Sequence, residues 1–205
     1  MMKRIMLYTV LLVALVFGFS SNTEAATTYT VKPGDSLWKI SVRYQVGLSE
    51  IIAANPQFKN PNLIYPNQKV YIPDLSAQKG VESEVLRLTN IERAKVGAPA
   101  LKMDWELQRV ARIKSEDMRD RNYFSHQSPT YGSPFDMMKA FRISYRSAAE
   151  NIAAGQTSAQ AVVNSWMNSP GHKQNMLNPA YTHLGAGYAR GGSYGHYWTQ
   201  MFIKK

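Results

Sequence analysis

Ser165-Trp166-Met167-Asn168-Ser169-Pro170-Gly171-His172, followed by Gly195-His196-Tyr197-Trp198-Thr199-Gln200, decides how the larger part of this chain is read. The first stretch closes a helix. Thr157, with Gln160 three residues on, makes a capping-box pattern that opens it, and Ser169-Pro170-Gly171 breaks it after Met167. The second stretch is strand-like. From His196 to Ile203 the faces alternate, with His196, Trp198, Gln200 and Phe202 on one side and Tyr197, Thr199, Met201 and Ile203 on the other. His183 to Ala189 is a partner strand, joined to it through the Gly-rich turn 190–195.

Toward the N-terminus the period changes to that of helices. Val81, Val85, Leu88 and Ile91 fall at helical spacing, and Gly97 supplies the stop. Asp104 caps a second helix from Trp105 to about Arg121, with Leu107, Val110, Ala111, Lys114 and Met118 along one face. Residues 122–145 read as irregular, apart from Phe135-Asp136-Met137-Met138-Lys139-Ala140-Phe141, an amphipathic helix packing inward. Helices mixed with a late antiparallel pair give an α+β fold or a three-layer sandwich.

A smaller block precedes this one. Tyr29-Thr30-Val31 is a short strand, and Pro33-Gly34 a turn. Asp35 or Ser36 caps a helix over Leu37 to Tyr44, and Ser49 caps a second over Glu50 to Ala54, stopped by Asn55-Pro56. A Pro/Asn-rich loop leads to a last strand, Lys69-Val70-Tyr71-Ile72. The polar segment Pro73 to Gly80 carries Pro and Gly as a linker does; with the linker at 75–80, 27–74 and 81–205 form two modules.

Residues 1–25 have the grammar of a secretory signal peptide. Lys3 and Arg4 precede an apolar run from Ile5 to Phe19, and Thr23-Glu24-Ala25 ends in small residues at a cleavage site. The run is shorter than the roughly 20 residues of a spanning helix, so no membrane span is expected after cleavage. The 205 residues include no cysteine, which leaves stability to the cores. The formal charge of +10 falls to +9 without Lys3, Arg4 and Glu24. No nucleic-acid motif accompanies it, so the charge reads as adhesion to an anionic wall.

The first block resembles a LysM domain. Tyr29-Thr30-Val31-Lys32-Pro33-Gly34-Asp35-Ser36-Leu37-Trp38-Lys39-Ile40 is similar to its opening; Asn55-Pro56, Asn62-Leu63-Ile64-Tyr65-Pro66-Asn67-Gln68 and Val70-Tyr71-Ile72-Pro73 are similar to its close. The resemblance implies a βααβ module that binds peptidoglycan or another N-acetylglucosamine-containing glycan. The implied groove lies between Gly34, Asp35, Ser36 and Leu37 on one side and Leu63, Ile64 and Tyr65 on the other. Trp38, inside the first helix, reads as core rather than as a ligand platform. The Asn-Pro and Asn-Leu-Ile-Tyr-Pro pattern also resembles modules of spore coat assembly proteins, which implies wall or spore-coat proteins as partners.

The second block resembles the CAP superfamily of cysteine-rich secretory, antigen 5 and pathogenesis-related proteins. Asn90-Ile91-Glu92-Arg93, Phe124-Ser125-His126, Glu150-Asn151-Ile152-Ala153 and the two stretches quoted first carry that resemblance in the family's order. It implies an α–β–α sandwich with a cavity lined by two His and two Glu. His126, Glu150 and His196 match three of those positions. The fourth falls on Ser169, with His172 nearby, giving a candidate set of His126, Glu150, His172 and His196.

Three readings of that set stand side by side: a buried polar network fixing loops, a ligand or metal cavity in which two or three imidazoles, His126 and His196 among them, and a carboxylate hold Zn²⁺, and general acid–base chemistry by Glu150 with a histidine. No H-E-x-x-H spacing, G-x-S-x-G elbow or cysteine supports the third. The favoured reading is a secreted, wall-bound and non-catalytic binding protein. Its rivals are a wall hydrolase or protease using Glu150 and His196, and a lipid binder with an apolar groove at the Met-rich stretch 135–141.

Overall fold

The structure is a computed structural model that describes residues 27–205; the expected signal peptide at 1–25 lies outside the described residues. The first module forms around a two-stranded antiparallel hairpin. β1 (Thr27–Thr30) pairs with β2 (Lys69–Ile72), Thr30 lying opposite Lys69, and α1 (Leu37–Tyr44) and α2 (Leu48–Ala53) come between them. Ser36 caps α1, its hydroxyl accepting from the Lys39 N–H at 3.2 Å. α2 starts earlier than the sequence suggests. Its N-cap is Gly47, and the Ser49 hydroxyl is engaged instead with Glu50 and Arg109. Asn55 stitches the module together: its amide donates to the carbonyls of Ile51 and Tyr71, and its oxygen accepts from the Tyr71 N–H. The core is a small aliphatic cluster that includes Leu37, Ile40, Ile51 and Val70.

The second module runs α3 (Ser76–Lys95), β3 (Lys102–Met103), α4 (Trp105–Asp120), α5 (Pro134–Ala140), β4 (Ser147–Ala154), α6 (Ala159–Met167), α7 (Pro170–Leu177), β5 (His183–Arg190) and β6 (His196–Lys204). The expected linker at 75–80 is not an extended connection, because α3 begins at Ser76 and passes through Gly80. Gly inside a helix costs about 1 kcal/mol relative to Ala. Tertiary anchors outweigh it: Lys79 Nζ reaches the Tyr44 carbonyl, and buried Glu82 receives a two-pronged ion pair from Arg112.

The four strands lie in the order β3-β5-β6-β4. β6 has no wet face. Trp198 and Phe202 pack under α3, α6 and α7, whereas Met201 and Ile203 pack under α4 and α5. This is the α–β–α sandwich the sequence implied, with the predicted alternation of β6 serving two cores. Three local readings change. Ser158, not Thr157, caps α6, accepting from the Ala161 N–H. Pro170 opens α7 at its first position instead of only ending α6. The apolar run 148–154 is a strand, β4, running antiparallel to β6.

α4 sits against β5 at backbone contact. A Cβ built on Gly185 would lie 2.3 Å from the Leu107 carbonyl carbon, and one on Gly187 would lie 2.1 Å from that of Ala111. Only hydrogen side chains permit this approach, and it sets the height of the whole α4 layer above the sheet. Gly187→Ala is expected to destabilise the chain by about 1–3 kcal/mol or more, as overpacking does. Urea unfolding reads it directly, and an unchanged midpoint would contradict the close approach.

Candidate functional site

Glu150 stands on β4 opposite Met201 of β6, which places its side chain on the α4 side of the sheet. The side chain is only 2% exposed. Its Oε1 is 2.7 Å from Nδ1 of His126, whose ring is 52% exposed. Its Oε2 is buried and meets no hydrogen-bond partner. Burial raises the carboxyl pKa; the bond from His126 and the charge of Lys114 oppose that rise. A buried carboxyl oxygen without a partner is costly.

His126 is held from below by a residue whose role the sequence did not disclose. Lys114 points inward from α4, and its ammonium donates to the carbonyls of Ser125 at 2.8 Å and His126 at 3.0 Å and to the Tyr123 hydroxyl. Its burial lowers the amine pKa, while Glu150 and Asp117 pull it back up. The signal was present, since a lysine sat on the apolar stripe of a helix. Asp117, one turn along, gathers the hydroxyls of Tyr123, Ser128 and Thr130 and so fixes the loop that carries His126.

β4 is an edge strand, and His172 approaches it from the opposite layer. Asn151, fully buried, donates to the His172 carbonyl at 3.1 Å and to Gln200 Oε1 at 3.1 Å, and accepts from Asn175 at 2.9 Å. Gln200 passes the network on to Thr89 of α3. Arg93 steadies the far end of α7 by donating to the carbonyls of Met176 and Asn178. Burial lowers the His172 pKa, and the positive form of nearby His126 lowers it further. The structure therefore brings His126, Glu150 and His172 to one strand edge.

His196 does not join them. It pairs with Arg190 at the turn end of β6, five positions from the residue opposite Glu150. At about 3.4 Å per residue that is about 17 Å along the strand. Alternation also turns it to the other face, where its Nδ1 lies 2.8 Å from the Tyr188 hydroxyl and its ring stacks on Tyr188. Two expectations fall with it. A hydrolase or protease using Glu150 and His196 together has no geometric basis, and neither has a Zn²⁺ site on His126 and His196. Zinc takes at least three protein ligands, and among the described residues no three His, Asp or Glu side chains are placed to share a metal. The stretch 135–141, the one candidate for a lipid groove, is instead the inward-packing helix that the sequence indicated, with Met137 and Met138 buried in the core under α5.

In the first module, the loop leaving β1 and the loop entering β2 run side by side, joined by the Asn67 N–H to the Val31 carbonyl at 2.9 Å. Gly34 takes a left-handed turn, with φ +81°. The Asp35 carboxylate is spent internally on the Tyr29 hydroxyl, the Lys32 N–H and Arg43, which hold it below the usual carboxylate range. Ser36 is the helix cap, and Leu37 is core. That side can offer a ligand mainly backbone groups. On the other side Leu63 and Tyr65 are exposed, and Ile64 packs partly into the core. Trp38, expected in the core, is 61% exposed. The buried positions of α1 are 37, 40 and 41, so position 38 turns outward.

Comparison with known proteins agrees with this architecture. Residues 29–73 match the LysM domain, and residues 86–202 match CAP, described as the Cysteine-rich secretory protein family. The uncharacterized protein YkwD of Bacillus subtilis (strain 168) is 56% identical over 130 residues, covering 63% of this chain and 49% of that protein. The uncharacterized membrane protein YlbC of the same strain is 43% identical over 199 residues, covering 90% of this chain and 55% of that protein. The crystal structure of an extracellular protein containing a SCP domain from Bacillus anthracis str. Ames superimposes with a TM-score of 0.58 at 38% identity, over 68% of this chain and 47% of that one. The chain thus spans about half the length of the curated relatives it matches. Among the described residues no helix is long and apolar enough to cross a membrane. With more than half of its length inside the second match, the chain belongs to the CAP (cysteine-rich secretory protein) family, with a LysM domain ahead of the CAP domain.

Proposed function

We propose that this is an exported protein of the cell wall. Its LysM domain holds an N-acetylglucosamine-containing glycan such as peptidoglycan, and its CAP domain offers the His126–Glu150–His172 edge to a ligand without turning it over. The observation that carries the second half is Glu150 Oε2, buried and unpartnered beside a half-exposed imidazole. Such an atom takes a hydrogen-bond donor, and His126 supplies the neighbouring donor or acceptor that orients it. A glycan ring needs an apolar cover and amide partners; exposed Leu63 and Tyr65 supply the first, and the backbone of 34–37 the second.

A second reading has one observation in its favour. The raised pKa of Glu150 suits a group that exchanges a proton with bound substrate. Its partner is then His126, not His196. Placement in a spore envelope is a finer reading that rests on the Asn55-Pro56 and Asn62–Pro66 pattern; immunoblots of purified spores against vegetative walls decide it.

Sedimentation with purified peptidoglycan tests the first half. The wild-type chain should pellet with the wall, and the Leu63→Ala/Tyr65→Ala double variant should stay largely in solution. Glu150→Gln should pellet like the wild type. Retention of the double variant would remove the groove from the account.

The raised Glu150 pKa has a signed consequence for stability. A carboxyl whose folded pKa exceeds its unfolded value favours the folded state fully at low pH, and loses that contribution as pH rises through the folded pKa. Gln at this position stays neutral and loses nothing. The stability of Glu150→Gln relative to wild type should therefore increase from about pH 4 to pH 7. Urea midpoints across that window check it; a pH-independent difference would show that Glu150 is ionised without strain.

A further inference from the structure

The two domains meet at a cleft between α1 and α2 on one side and α4 on the other. Arg109 of α4 reaches across to α2, where its Nε and Nη2 donate to Glu50 at 2.8 and 2.9 Å, and Nη2 donates to the Ser49 hydroxyl at 2.7 Å. The guanidinium lies 5.2 Å from the centre of the Phe141 ring. It also passes over Gly47, where an added Cβ would fall 1.8 Å from Nε. A bidentate pair over a bare backbone is the geometry of a fixed joint, not of a tether. Beside it opens a space of ≈ 130 Å³, lined by Trp38 and Val42 from the first domain and by Trp105, Glu106, Arg109 and Phe141 from the second.

Tryptophan placement sets this cleft apart. The chain has four. Trp166 and Trp198 are each 1% exposed and belong to the CAP core. The other two, Trp38 and Trp105, come from different domains and line this one cleft. Both flat apolar faces and charged hydrogen-bonding groups are present, as a sugar ring requires. The cleft begins one residue beyond the first domain's 34–37 loop in the chain. Trp38 follows directly on 34–37, and the Lys39 ammonium next to it binds the Gly34 carbonyl at 2.7 Å. The space is smaller than the roughly 300–1,000 Å³ of a drug-sized pocket, so it can cover one face of a single ring and leaves the rest of the glycan in solvent.

We propose that the junction is a second saccharide subsite: an N-acetylhexosamine ring of a glycan chain held in the LysM groove stacks on Trp38, and Glu106 accepts from its hydroxyls. Glycan binding then reads the relative position of the two domains, and the Arg109–Glu50 joint keeps the subsite in place. This rests on the glycan reading of the LysM domain.

The test titrates chitohexaose into the exported chain and follows the four indole N–H resonances by NMR, with Trp38→Ala and Trp38→Phe alongside the Leu63→Ala/Tyr65→Ala variant. The inference expects the resonances of Trp38 and Trp105 to shift while those of Trp166 and Trp198 stay. It expects Trp38→Ala to weaken binding about fivefold to tenfold at an unchanged melting temperature, and Trp38→Phe to restore most of it. If chitohexaose binds, and loses binding only in the Leu63→Ala/Tyr65→Ala variant, the glycan reading stands and the junction subsite is overturned. If the wild-type chain binds no chitohexaose, the glycan reading falls and this inference with it.

Discussion

The eight-residue register between β4 and β6 is the constraint on which the functional reading depends. It sets Glu150 opposite Met201 and Asn151 opposite Gln200, and so sends two adjacent polar residues into two different layers. Both layers are dry, because helices cover both faces of the sheet. Each residue must then be satisfied inside the protein. Asn151 is, through Gln200, His172 and Asn175. Glu150 is satisfied at one oxygen only. A one-residue slip would exchange the two side chains between layers and leave both without partners.

This difference gives the two residues different work. The Asn151–Gln200–Thr89 chain ties β4, β6 and α3 together and holds α7 against the sheet edge; fully paired, it adds specificity to the fold. Glu150 has a spare acceptor at the edge strand, under an imidazole that Lys114 positions through the backbone. Removing Lys114 would loosen the backbone that carries His126. The LysM domain follows the same logic at smaller scale. Its polar loop residues satisfy one another, Asp35 most completely, and leave backbone groups and the exposed Leu63 and Tyr65 as the surface offered outward.

Much of the fold was legible because period and punctuation agree in this sequence. The α1 and α4 boundaries follow from Ser36 and Asp104, whose side chains make the expected caps, and the alternation of β6 was visible as two apolar faces. What was missed has physical causes. The segment 75–80 carries the composition of a linker, yet the buried Glu82–Arg112 pair and the Lys79–Tyr44 contact draw it into α3, and such pairing across 30 residues leaves no local mark. The strand β4 was read only as an apolar run, since burial on both faces removes alternation. In the site, His126 lies against Glu150, and His172 comes to the same strand edge through the bond from Asn151 to its carbonyl. His196 does not, because a motif fixes the order of residues and not which face of a strand each one takes. Trp38 was misplaced by the assumption that a helical tryptophan faces inward.

The central claim is that the CAP domain binds at the β4 edge and does not cleave the wall to which the LysM domain attaches it. The most direct measurement is the release of soluble muropeptides and free amines from purified peptidoglycan during prolonged incubation with the exported chain. The account predicts no release above the buffer control while the protein remains bound to the wall. Release by the wild-type chain that disappears in a folded Glu150→Gln variant would contradict it, and would make Glu150 and His126 an acid–base pair.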